Sequence, residues 1–125
     1  MNTRRNFLKT GLALGAATFA APAFAGGHGR LGTFEGKSNH ITTGTAEIAG
    51  NQINLLDDFT FDGAPDPKVS LGKDGHRKEW ILEPLRSNTG AQSYAVPANI
   101  DLDEVNEVWI WCEKFNVPLG VAKIN

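Results

Sequence analysis

The chain has 125 residues, of which 12 are basic and 14 acidic, and a formal net charge of −2. That length fits a single domain, and the charge lacks the basic surplus with which nucleic-acid binders neutralise phosphate. One cysteine excludes an internal disulfide, a C-x-x-C-H haem attachment and a four-cysteine zinc site.

Thr3-Arg4-Arg5-Asn6-Phe7-Leu8-Lys9 reads as a twin-arginine export motif, with two arginines, a large apolar pair and a basic residue. The apolar run from Gly11 to Phe24 follows, and Ala23-Phe24-Ala25 fits a small-x-small cleavage site. A membrane helix needs roughly 20 apolar residues, and this run is shorter. Residues 1–25 are therefore expected to be a signal peptide, with no membrane span in the mature chain. Cleavage removes Arg4, Arg5 and Lys9, leaving nine basic against fourteen acidic residues, a net charge of −5. That sign disfavours an anionic membrane surface. The twin-arginine route carries folded proteins, often with a cofactor already inserted. The expectation is a periplasmic or secreted bacterial protein, exported folded.

Residues 26–30 read as a flexible tail, and 31–125 as one ordered domain. Leu31 to Gly36 opens it. Asn39 to Ile48 alternates weakly and is rich in Thr and Ile, as a half-buried strand should be. Ala49-Gly50-Asn51-Gln52 is a turn, and Ile53 to Leu56 returns as the second arm of a hairpin. Phe59 and Phe61 point one way and Thr60 the other. Asp62-Gly63 and Pro65-Asp66-Pro67 then form a tight turn. The acidic run Asp58-x-Thr60-x-Asp62-Gly63 partly imitates a calcium loop, but position twelve is Val69 where a glutamate is required. Val69 to Gly72 is the next strand and 73–78 a polar loop. Trp80 to Leu85 is a short strand that Pro84 ends. Arg86 to Gly90 is a turn, and Ala91 to Pro97 a further extended segment. Asp101 is placed to cap a single helical turn through Val105.

Glu107-Val108-Trp109-Ile110-Trp111-Cys112 organises the rest. Val108, Ile110 and Cys112 alternate with Trp109 and Trp111, so both faces of this strand are apolar and it reads as covered on two sides. Trp80, Trp109 and Trp111 are read as core aromatics. Phe115, Val117, Leu119 and Val121 continue with period two, and Pro118 places this strand at an edge or marks a bulge. Short strands between Gly, Pro, Asn and Asp turns, without an amphipathic helix of useful length, point to an all-β fold. The expected form is a single antiparallel β-sandwich, Greek-key or jelly-roll-like.

Trp111-Cys112, two polar residues, Phe115-x-Val117 and then Gly120 resemble the C-terminal signature of the DM-thirteen domain, a small extracellular module also found beside DOMON domains. The resemblance runs from Gly32 to Ala122. It takes in Gly32-x-Phe34, the segment from His40 to Gly44 with its following hairpin, the Phe59–Phe61 strand with Gly63 and Pro65-Asp66, and Gln92-x-Tyr94-x-Val96-Pro97. It implies an electron-transfer role that depends on the cysteine.

Three readings follow. In the first, Cys112 is a redox centre, either a cycling thiol or a thiolate ligand to a non-covalent haem or metal, serving a redox partner protein. His40 and Tyr94 are the candidate helpers, with His40 a second cofactor-binding residue. A blue-copper site is disfavoured because no His follows Cys112 and the only methionine is Met1. In the second, Cys112 is a small buried hydrophobe. In the third, the domain is a non-catalytic binding module with Asp62, Asp66, His76 and Arg77 on its rim. No acid–base pair at diagnostic spacing marks the chain as an enzyme.

Overall fold

The computed structural model describes residues 29–125. The expected signal peptide and most of the expected tail lie outside them. The fold is all-β and antiparallel, as the turn-punctuated strands require. Its strands are β1 (Arg30–Gly36), β2 (Thr42–Thr43), β3 (Thr45–Ala49), β4 (Gln52–Leu55), β5 (Thr60–Phe61), β6 (Pro67–Gly72), β7 (His76–Pro84), β8 (Gln92–Ala95), β9 (Glu107–Cys112) and β10 (Val117–Lys123). Among the described residues the first strand starts at Arg30.

Eight strands form one sheet in the order β7-β6-β9-β10-β1-β3-β4-β8. The sheet curls until its two ends approach each other, which makes it nearly a barrel. Just past β7, the Arg86 guanidinium donates to the Ser93 carbonyl on β8 at 2.7 Å, and the Arg86 backbone N–H donates to the Tyr94 hydroxyl at 3.0 Å. The two facing layers expected of a sandwich are thus halves of one continuous sheet.

The register explains the core. Ile110 pairs with Val69, and Val108 with both Leu71 and Ala122. Ala122 pairs with Phe34, Ala46 with Leu55, and Ile53 with both Ile48 and Tyr94. Partners directly opposite each other share a sheet face, so these residues form one continuous apolar inner surface, and all of them are buried. Tyr94 adds a polar tether, because its hydroxyl also donates to Gln92 Oε1 at 2.5 Å. Burial raises its pKa, with the Arg86 contacts opposing. Tyr94→Phe should cost about 1 kcal/mol, since the Arg86 N–H loses its acceptor; denaturant melts would measure it.

Local turn chemistry sets the irregularities. The Asn39–Ile48 segment divides at Gly44, whose φ of +106° suits glycine. The short arm β2 then pairs with β5 while β3 joins the main sheet. Asp101 accepts from the Asp103 N–H at 2.9 Å and caps a 3-10 turn over Leu102–Glu104, as expected. The strand carrying Pro118 is interior, between β9 and β1, and bears a bulge where the register slips after Ile110. That bulge lets Leu119 turn into the core.

Candidate functional site

Val108, Ile110 and Cys112 face the core from β9, while Glu107, Trp109 and Trp111 face outward, as alternation requires. Cys112 is 1% exposed and belongs to the apolar core. The two tryptophans depart from expectation. They are half-buried on the outer face, which has no second layer of sheet over it. Trp80, by contrast, packs against the core from β7.

What covers the outer face is His76. Its ring stacks on Trp111 with centroids 3.7 Å apart and planes 3° from parallel, and meets Trp109 edge-on at 6.0 Å. Trp109 and Trp111 meet at 5.8 Å, nearly perpendicular. Ser70 on β6 fixes the imidazole through a 2.7 Å contact between its Oγ and His76 Nε2. These two residues have the atoms of a general-base dyad. Ser70 is wholly buried, however, so its oxygen has no approach for a substrate.

Burial holds the His76 pKa below the usual histidine value, opposed by the charges of Glu79 and Glu107. A histidine kept neutral by the fold binds fewer protons than the same residue in the unfolded chain, where it titrates near 6.5. Its contribution to stability is therefore complete above pH 6.5 and falls away as the pH drops toward the lowered folded value. His76→Gln should flatten the stability–pH curve in that window, read by denaturant midpoints from pH 7.5 to 5.

His40 lies elsewhere. Its Nδ1 is 2.9 Å from Asp62 Oδ1, and its ring lies 5.7 Å from that of Phe61. The hydrogen bond from His40 holds the Asp62 carboxyl below the usual carboxylate range, helped by the Ile41 N–H. The contacts of His40 thus run to β5, and it is not brought to Cys112. Tyr94 shares the inner face with Cys112, but its hydroxyl is committed to Arg86 and Gln92.

The four rim candidates also separate. Asp62 serves His40. Asp66 pairs with Lys68 at 3.3 Å and accepts from the Lys114 N–H at 2.9 Å. Glu113 binds the same lysine and, with Asp66, raises its pKa. Arg77 lies over the Trp80 ring at 5.0 Å. Only His76 joins the aromatic cluster.

Two open grooves flank that cluster. One, about 500 Å3, lies beside Trp109 and is lined by Asp74, Gly75, Asn106, Glu107, Val121 and two lysines, among others. The other, about 390 Å3, lies beside Trp111 with Lys78, Ile81, Glu113 and Asn116. Cys112 lines neither. The clue in the sequence was Glu107, which shares the outward parity of Trp109 and Trp111; Ser70 carried no such mark.

A family model described as Electron transfer DM13 matches residues 33–124. The chain belongs to that family. The match includes every strand from β2 to β10, both grooves and Cys112. A model of the twin-arginine translocation signal sequence matches residues 1–21, so the DM13 domain is exported, to the periplasm or beyond the cell. Among the described residues no helix is long and apolar enough to cross a membrane. No curated protein and no solved structure matches.

A haem fits poorly at the DM13 cysteine. An axial thiolate needs an open volume for the macrocycle beside its sulfur. Cys112 is sealed in the core, and of the described histidines His40 bonds Asp62 and His76 stacks on the outward-facing Trp111. No group of three or more metal-ligating side chains occurs among the described residues.

Proposed function

We propose that this exported domain is an electron-transfer accessory in which Cys112 works from inside the core, not as a thiol open to solutes. The observation that carries this reading is the adjacency of Cys112 and Trp111 on β9. One points inward and the other outward into the stack with His76. A single peptide unit thus separates a polarizable buried sulfur from an aromatic surface that a redox partner protein can touch. An oxidised partner protein would take one electron from the sulfur through Trp111 while the thiol proton leaves to solvent, and the reduced partner would return both, with burial slowing side oxidation of the thiol.

Film voltammetry of the mature protein tests it. A reversible wave in the wild type that disappears in Cys112→Ala, and weakens in Trp111→Leu, supports the reading. Identical traces for all three would refute it.

The burial of Cys112 favours a second reading, a non-catalytic binding module with an inert core thiol. The voltammetry separates the two, whereas maleimide labelling does not. Both expect protection in the folded state, but only the second expects no electrochemical change when the sulfur is removed.

A further inference from the structure

The groove beside Trp109 has features that an electron-transfer role does not use. Its floor includes Val121, which pairs with Trp109 across β9 and β10 and is 1% exposed. Glu107 lines it while only 6% exposed. One carboxylate oxygen of Glu107 takes two donors, the Gly75 N–H at 2.8 Å and Trp109 Nε1 at 3.0 Å. The other oxygen has no hydrogen bond or ion pair among the described residues. Lys123 is directly opposite Glu107 in the register, yet the two form no ion pair. Lys123 has no ion-pair partner among the described residues, and Lys37, which also lines the groove, has one there, the exposed Glu35 at 3.8 Å.

These groups select a ligand class. Two ammoniums repel a bare cation, and the buried carboxylate of Glu107, with Asp74 beside it, calls for a ligand that meets them with neutral hydroxyls and keeps its single negative charge at the lysine rim. An indole next to hydrogen-bonding side chains suits a pyranose, whose C–H face packs on the ring while its hydroxyls reach the polar groups. The lysines add a preference for a carboxylated sugar. We propose that this groove binds uronate units of an acidic polysaccharide. The sugar face lies on Trp109, a hydroxyl donates to the free oxygen of Glu107, and Lys37 and Lys123 hold the uronate carboxylate. The site is independent of Cys112 and stands whether or not the sulfur is redox-active.

The test is titration of the mature protein with trigalacturonate, read by calorimetry and tryptophan fluorescence, with maltotriose as the neutral control. Saturable binding of the acidic trimer is expected, weakening as salt is raised. Lys37→Ala and Lys123→Ala remove exposed side chains and should each raise Kd about fivefold. Glu107→Gln keeps an amide oxygen for Gly75 and Trp109 but loses the charge, and should raise Kd about tenfold. Should that variant fail to fold, the lysine variants still decide. No saturable response to trigalacturonate overturns the proposal. So does maltotriose binding as tightly, or an unchanged Kd in both lysine variants.

Discussion

Alanine at position 72 should lower the stability of the domain by about 3 kcal/mol, at the upper end for overpacking. Its melting temperature should fall by about 15 °C, given the domain size. Gly72 ends β6 under the outer-face cluster. A methyl group there would overlap the Gly75 carbonyl oxygen, and would stand 2.6 Å from Trp109 Nε1 and 2.7 Å from Glu107 Oε1. The carbonyl has little room to retreat, because it accepts the Lys73 N–H at 3.0 Å within a tight turn. That turn also holds Asp74 and Gly75 at φ values of +53° and +133°. The same methyl would displace both donors of Glu107 and so disturb the groove. Thermal and denaturant melts check the value; a loss below 1 kcal/mol would mean that the turn yields freely.

Serine at position 112 should be worse tolerated than alanine, although it is the closer match in shape. Cys112→Ser places a hydroxyl in an apolar core, and an unpaired buried hydroxyl costs about 2 kcal/mol. Cys112→Ala removes only the sulfur and its packing, for about 1 kcal/mol. The order follows from the inner-face position of Cys112, opposite Val117 and Pro67 on the flanking strands. Equilibrium urea unfolding of both variants measures it. If serine proves as stable as the wild type, a polar partner or an opening must lie beside the sulfur, and the sealed-core geometry is wrong. The pair also controls the voltammetry, since both variants remove the sulfur but disturb the fold unequally.

Much of the architecture was legible. The period-two alternation from Val108 to Cys112 placed the sulfur and the tryptophans on opposite faces, and that parity holds. Ala49–Gln52 was recognisable as a hairpin turn because it contains Gly50 and Asn51, and Gly50 has a φ of +58°. Asp101 announced its cap, and Pro118 its bulge. The candidate site was less legible. His40 and Cys112 were paired by residue type alone, and residue type does not determine which strand ends meet. His76 looked like part of a polar loop because its neighbours are Gly75 and Arg77. Only the return of β7 against β6 lays it on Trp111.

By itself the sequence determined the export signal, the strand alternation and the turns, because each depends on residues close together in the chain, and the family, because its signature is a series of such short motifs in fixed order. Backbone parity, left-handed glycines and a missing proline N–H act over a few residues. The tertiary structure alone decided that the sheet closes on itself, that Cys112 is sealed, and that Glu107 and Trp109 share a groove with Lys37 and Lys123. Those facts depend on strand order and register. Both are set by how the whole apolar inner surface packs at once, a sum over distant pairs that no single segment carries.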